Sequence, residues 1–323
     1  MAAPTHQKRK RTTSKRKPAT STPEDVVTKT LPAEATNQPV VAGVFNHTRV
    51  TAATLRAEWK LLARVILPIW LLLALLTLKS ALEEYAGVRG AAAEIGEPFT
   101  SIFVYLSVLG GILTSGLGEM QQMQSVALYL VLALTVVWLV RHRLAGDTVR
   151  ARDGLYNSLA PLVALLVIAA VAIVQLLPAV LAITTLALVS QLGVLANVFV
   201  LIIAGLLTLL LCAVSLYWLS ATVIAAVIVT IPGAYPMLAL RSASDLLKGH
   251  RLAIIRHIIW LLVLSALILA AVLLLPVLLD SAAGGGLAAP LVLLYQLANL
   301  CVVAIVVTYV FMLYRRIIDA KRI

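Results

Sequence analysis

The sequence predicts an all-α membrane protein: a bundle of six transmembrane helices with interfacial amphipathic helices and both termini cytoplasmic. Three observations carry that prediction. Of 323 residues, 61% are hydrophobic and only 12% charged, with mean hydropathy +1.00; a soluble domain is about a quarter charged. Charge-free apolar runs recur, including Val198 to Thr230 and Ile258 to Leu279, and about eighteen such residues read as a membrane-spanning helix. The stretch between these two runs holds Arg241, Lys248, Arg251 and Arg256 against one acid, Asp245. Two spans joined by a basic bend form a hairpin whose bend faces the cytoplasm.

Residues 1–50 read as a disordered basic arm, polar and without apolar periodicity. Lys8, Arg9, Lys10, Arg11, Lys15, Arg16 and Lys17 form two clusters suited to anionic lipid, each cation worth on the order of 1 kcal/mol at the surface. Nucleic acid is the less favoured partner, and a solvated arm that enforces orientation is the bland alternative. No cleavable signal peptide is expected, since the first apolar run begins near Leu61, far behind the basic stretch. Asn46-His47-Thr48 matches a glycosylation triplet but falls on the cytoplasmic side, where the match is empty.

Residues 51–323 then form the six-span domain, with spans at about 62–82, 121–140, 158–181, 197–230, 256–279 and 289–313. Thr54 reads as a helix cap ahead of the first span, with Trp59, Lys60 and Arg64 as surface anchors. Pro68 lies near that span's start, where a missing amide costs little. Residues 83–120 are acidic and contain the moderately apolar FTSIFVYLSVLGGILTSGLG. A crossing there would send the following arginine-rich loop outside, so a surface or re-entrant helix on the outer side is preferred. Asp147 reads as a cap in the loop after the second span. The fourth span, residues 197–230, is about 51 Å long at ~1.5 Å per residue. It must tilt, kink or project from a hydrocarbon layer of roughly 30 Å before Pro232 and Pro236 stop it.

The cations test this topology. Of 26 Lys and Arg, 24 fall in the arm and the lead-in to the first span, the two basic loops and the C-terminal segment, leaving Lys79 and Arg89 for the other side. Each inward segment (LRAEWKLLAR, DTVRARDGLYNS, LRSASDLLKGHR) precedes an odd-numbered span. Three helical hairpins, each introduced by an interfacial helix, would give that layout.

The loop ALRSASDLLKGHR also resembles a segment found in a bacterial group of six-span proteins. That group includes the membrane domain attached to some glycerophosphoryl diester phosphodiesterases and uncharacterised relatives. Ala239, Leu240, Arg241, Asp245, Leu246, Leu247, Lys248, Gly249 and Arg251 fit the pattern. Ala243 and Ser244 depart from it, and the usual Glu near the end of the fourth span is missing. The resemblance implies a membrane fold and no activity, because the phosphodiesterase catalytic domain is not in this sequence.

Chemistry finds little purchase. No ionisable residue lies mid-span, and Gln175, Asn197, Gln296 and Asn299 supply the amide content there. Such residues bond between helices more often than they bind substrate. His142, His250 and His257 sit by basic loops without clustered carboxylates or cysteines, so no metal, cofactor or nucleophile–base pair is expected. Glu94 and Glu97 lack a third ligand, and Cys212 and Cys301 are packing residues. The expected protein is not an enzyme. It is a structural or accessory protein of the plasma membrane, and its basic inner face engages anionic headgroups or a cytoplasmic protein. On that face Arg241, Lys248 and Arg251 join the arm's cations. The alternative is a small permease or lipid-handling transporter with a cavity lined by Gln175, Asn197, Gln296 and Asn299.

Overall fold

The computed structural model describes residues 43–94, 119–191, 198–231, 233–282 and 288–321. Nine α-helices fill them: α1 (Val44–Ala57), α2 (Trp59–Glu94), α3 (Glu119–Leu144), α4 (Ala151–Ser158), α5 (Leu162–Gln191), α6 (Val198–Ile228), α7 (Pro236–Leu246), α8 (Arg251–Ala282) and α9 (Ala288–Lys321). The described residues contain no strand. Six helices are long and apolar enough to cross a membrane, at Trp59–Glu83, Met123–Leu144, Leu162–Leu186, Val198–Ile228, Arg251–Val272 and Ala288–Asp319. The basic clusters of the arm, residues 95–118 and Asn197 lie outside the described residues.

Burial divides the spans. Leu62, Ile66, Ile69 and Leu73 recur on one stripe of α2 and are buried, the three-and-four spacing that turns one helix face inward. Leu132, Val136, Leu139 and Val140 of α3 and Leu300, Ala304, Leu313 and Ile317 of α9 complete the same core. The membrane-length windows of α2, α3 and α9 are 39, 44 and 33% buried, against 11% for α5 and 6% for α6. The α5–α6 hairpin therefore presents most of its apolar surface outward. Only the second half of α6 is covered, through Ser215, Ser220, Thr222, Ile224, Ala225, Val227 and Ile228.

A short helix stands ahead of each odd-numbered span: α1 before α2, α4 before α5, α7 before α8. The first begins earlier than the sequence suggests. Residues 44–50 were expected to belong to the disordered arm, yet α1 opens at Val44 and buries His47 and Thr51 on one face. Thr54 is no cap: its hydroxyl bonds the Val50 carbonyl inside α1 at 3.0 Å. The break falls at Glu58, whose N–H closes α1 on Thr54 and whose carbonyl opens α2 by accepting from Leu62. Pro68 consequently sits inside α2 rather than near its start. The Arg64 carbonyl loses its helical donor there. Asp147 does not cap α4 either; the N-cap is Arg150, whose N–H meets the Asp153 carboxylate at 3.3 Å. Helix α7 buries Ala239 and Ala243 one turn apart, with Leu247 just after. Gly249 then turns the chain at φ +87°, a conformation that favours glycine.

Gly154 lets α4 approach α3 closely. A Cβ there would meet Leu139 Cγ and Cδ2 at 3.0 Å and Thr135 Cγ2 at 3.3 Å. The α3–α4 contact is completed by Thr135 and Ser158, whose hydroxyls lie 3.1 Å apart. Replacing Gly154 with leucine forces α4 off α3, an overpacking cost of about 1–3 kcal/mol. Gly205 of α6 has nothing within 4 Å of its added Cβ, so Gly205→Ala gains helix propensity, up to about 1 kcal/mol. Circular-dichroism melts of the protein in one detergent should place G154L below and G205A at or above the wild type.

Candidate functional site at the basic end of the bundle

The ends of α3 and α9, the starts of α2 and α8 and the short helices α1, α4 and α7 with their flanking turns carry the described cations other than Lys79 and Arg89, and specific contacts tie several of these elements together. Arg143 Nε, at the end of α3, donates to Glu58 Oε2 at 2.8 Å, between α1 and α2. Tyr309 of α9 meets His257 Nδ1 of α8 through its hydroxyl at 2.6 Å. His47 of α1 donates from Nε2 to the Tyr309 carbonyl at 3.1 Å. The two imidazoles pack edge to face, centroids 5.5 Å apart, and His47 stands against the Tyr309 ring at 4.3 Å. Trp260 Nε1 donates to Thr48 Oγ1 at 3.1 Å, which in turn donates to the Val44 carbonyl. Three helices distant in sequence thereby share one buried polar knot.

This knot is electrostatically spare. His47, His257 and Tyr309 are almost wholly buried. With its Nε2 proton on the Tyr309 carbonyl, His47 leaves Nδ1 as a buried acceptor without a partner among the described residues. Arg316, charged and close to both His47 and Tyr309, keeps its Nη1 buried and likewise without a hydrogen bond there. Burial pulls the His47 imidazole down to about 4, helped by the Arg316 and His257 charges and opposed by the bond to Tyr309. The ring is neutral at pH 7.

Of the four polar residues expected to line a cavity between the spans, the three that are described, Gln175, Gln296 and Asn299, each have a different partner. Gln175 of α5 accepts from Thr222 of α6 at 2.6 Å. Gln296 of α9 donates to Thr77 of α2 at 3.0 Å, and its own carbonyl oxygen is buried without a donor among the described residues. Asn299 of α9 donates to the Tyr129 hydroxyl of α3 at 3.0 Å. These are ties between helices, worth on the order of 1 kcal/mol each in an apolar medium. A fourth is structural repair. Pro178 interrupts α5, and the Ser215 hydroxyl of α6 accepts from the Ala179 N–H at 3.2 Å.

The three loop cations differ in use. Arg241 is exposed on α7. Lys248 pairs with Asp245 at 2.7 Å, with both side chains mostly exposed, so the pair adds little to stability. Arg251 donates to Ser244 Oγ at 2.8 Å and lies over the Tyr217 ring at 4.7 Å, binding α8 to α6. No group of three metal-ligating side chains occurs among the described residues.

An open space lies beside these ends. A cavity of about 420 Å³ is bounded by the last turns of α3, the α4–α5 turn and the turn after α6. Arg141 and His142 line it together with Asn157, Ser158 and Thr230, and Trp138 walls it. Neither Arg141 nor the His47–Tyr309 knot was singled out from sequence. A signal existed only for His257, which immediately precedes a charge-free run; His47 and Tyr309 are 262 residues apart.

No family model matches the chain. Neither the curated proteins nor the solved structures contain a match.

The His47 value has a stability consequence whose sign is fixed. Because the folded value lies below the ordinary 6.5, the unfolded chain binds the proton first as pH falls. The ring's contribution is complete above about pH 6.5 and is lost as pH falls toward about 4, on the order of 3 kcal/mol in all. Chemical-denaturation midpoints measured across that window should fall more steeply for the wild type than for His47→Gln, which keeps a side-chain donor without titrating.

Proposed function

We propose that this chain is a non-enzymatic accessory protein of the plasma membrane, with both termini in the cytoplasm. Its basic end grips anionic phospholipid headgroups. The observation that carries this reading is the grouping of cationic helix ends. Arg143 reaches Glu58, Arg251 closes on α6, and Arg316 lies beside His47. An apolar flank on α5 and α6 asks for a hydrocarbon solvent, and cations at one end of six crossings are sorted to the cytoplasmic leaflet. There the surface potential attracts them by roughly 1 kcal/mol apiece. The helices α1, α4 and α7 are the interfacial elements in this reading, each placing polar residues at the headgroups ahead of a span. The resemblance of residues 239–251 to the six-span bacterial group agrees with that placement.

The permease reading has less support. Gln175, Gln296 and Asn299 are each engaged with another side chain, which leaves less polarity free to meet a solute.

Replacing Arg241 and Lys248 with glutamine removes two exposed cations without touching the core. Lipid extracted with the protein from native membrane discs should then be depleted in phosphatidylglycerol and cardiolipin relative to the wild type. An unchanged lipid profile refutes the headgroup assignment. A reporter enzyme fused to either terminus should be active only in the cytoplasm.

A further inference from the structure

We propose that the cavity beside Arg141 is a binding site for one phosphate ester, the headgroup phosphate of an anionic phospholipid. Arg141 supplies the counter-charge. This inference rests on the lipid-gripping reading above but assigns it a defined site, distinct from the exposed cations of α7 and the loop that follows it.

The cavity's chemistry selects an anion. None of the residues lining it is acidic. The guanidinium of Arg141, half-buried on the last turn of α3, has no carboxylate partner among the described residues; the charge it interacts with there is that of the Tyr314 hydroxyl. The neighbouring cation Arg143 has its carboxylate in Glu58. A guanidinium drawn partly out of water without a carboxylate beside it is stabilised when an anion reaches it, and its planar fork of donors matches two phosphate oxygens.

The other walls complete the fit. His142 stacks on Trp138, ring centroids 4.0 Å apart, and donates from Nδ1 to the Trp138 carbonyl at 2.9 Å. That bond holds the ring in place with Nε2 remaining for a further contact. The Asn157 side chain and the Thr230 region supply neutral polar groups opposite. Two carbonyls at the end of α6 are occupied, Val227 by the Thr230 N–H and hydroxyl and Ile228 by the Ile231 N–H, which reduces their repulsion of an anion. Leu134, Val137, Pro161 and Ala164 form an apolar wall suited to the glycerol and first methylenes of a lipid. The volume, about 420 Å³, falls in the range of small-molecule sites, roughly 300–1,000 Å³.

Native mass spectrometry of the full chain in neutral detergent tests the site with three probes: short-chain phosphatidylglycerol, short-chain phosphatidylcholine and glycerol phosphate. Phosphatidylglycerol should bind at one saturable site in preference to phosphatidylcholine. Arg141→Gln, which removes the charge, and Ala164→Leu, which removes space, should each weaken it about tenfold, the effect of losing a charged hydrogen bond. Lys79→Gln, an exposed cation far along α2 from the cavity, should leave this site unchanged. The A164L variant carries the test if R141Q melts early. Glycerol phosphate binding with the same dependence on Arg141 and Ala164 would support the phosphate site and transfer its source from lipid to a soluble ester. Phosphatidylglycerol binding that ignores both variants but weakens in R241Q overturns the cavity site and leaves the lipid-gripping reading standing. Absence of binding by both phosphatidylglycerol and glycerol phosphate overturns both.

Discussion

A hydrocarbon layer solvates neither a backbone amide nor a cation, and the architecture answers both facts. Every membrane-length segment among the described residues is a helix, so its amides are paired within itself except around the prolines, where the Ala179 N–H meets Ser215 of α6. The cations gather at helix ends, away from the apolar lengths. Hydrophobic burial then has less to do than in a soluble domain. Helices α5 and α6 can remain largely uncovered, because lipid covers them as well as another helix would.

With the flanks solvated by lipid, selectivity between helices comes from polar ties and close packing. Gln175–Thr222, Gln296–Thr77 and Asn299–Tyr129 each join a different helix pair. Trp70 adds another by donating to the Leu293 carbonyl at 3.0 Å. Gly154 admits the side chains of Leu139 and Thr135 of α3 close against α4, where a bulky residue would push them away. These contacts bring α2, α3 and α9 into one core, and that core sets the positions of the cationic ends.

The basic end combines two kinds of arginine. Arg143 and Arg251 are structural, one bonded to a carboxylate and the other spread over an aromatic ring. Arg141 and Arg316 have hydrogen-bonding capacity left over, Arg316 inside the histidine–tyrosine knot and Arg141 beside a cavity. A protein selected for stability alone has little reason to keep such groups near the interior. Their placement is the physical basis for assigning a ligand to this end.

The amino-acid sequence by itself determined the helical class and the number of long apolar segments. Those properties follow from composition and from the length of hydrocarbon a helix must cross, which are local. It also disclosed a short helix ahead of each odd span, though not its limits. Thr54 and Asp147 look like caps in isolation, yet tertiary packing extends α1 through Thr54 and starts α4 after Asp147. Only the tertiary structure decided which polar residues meet. Gln296 finds Thr77 across 219 positions and His47 finds Tyr309 across 262. No periodicity encodes such a pairing, because it depends on the rotation and depth at which whole helices settle against one another.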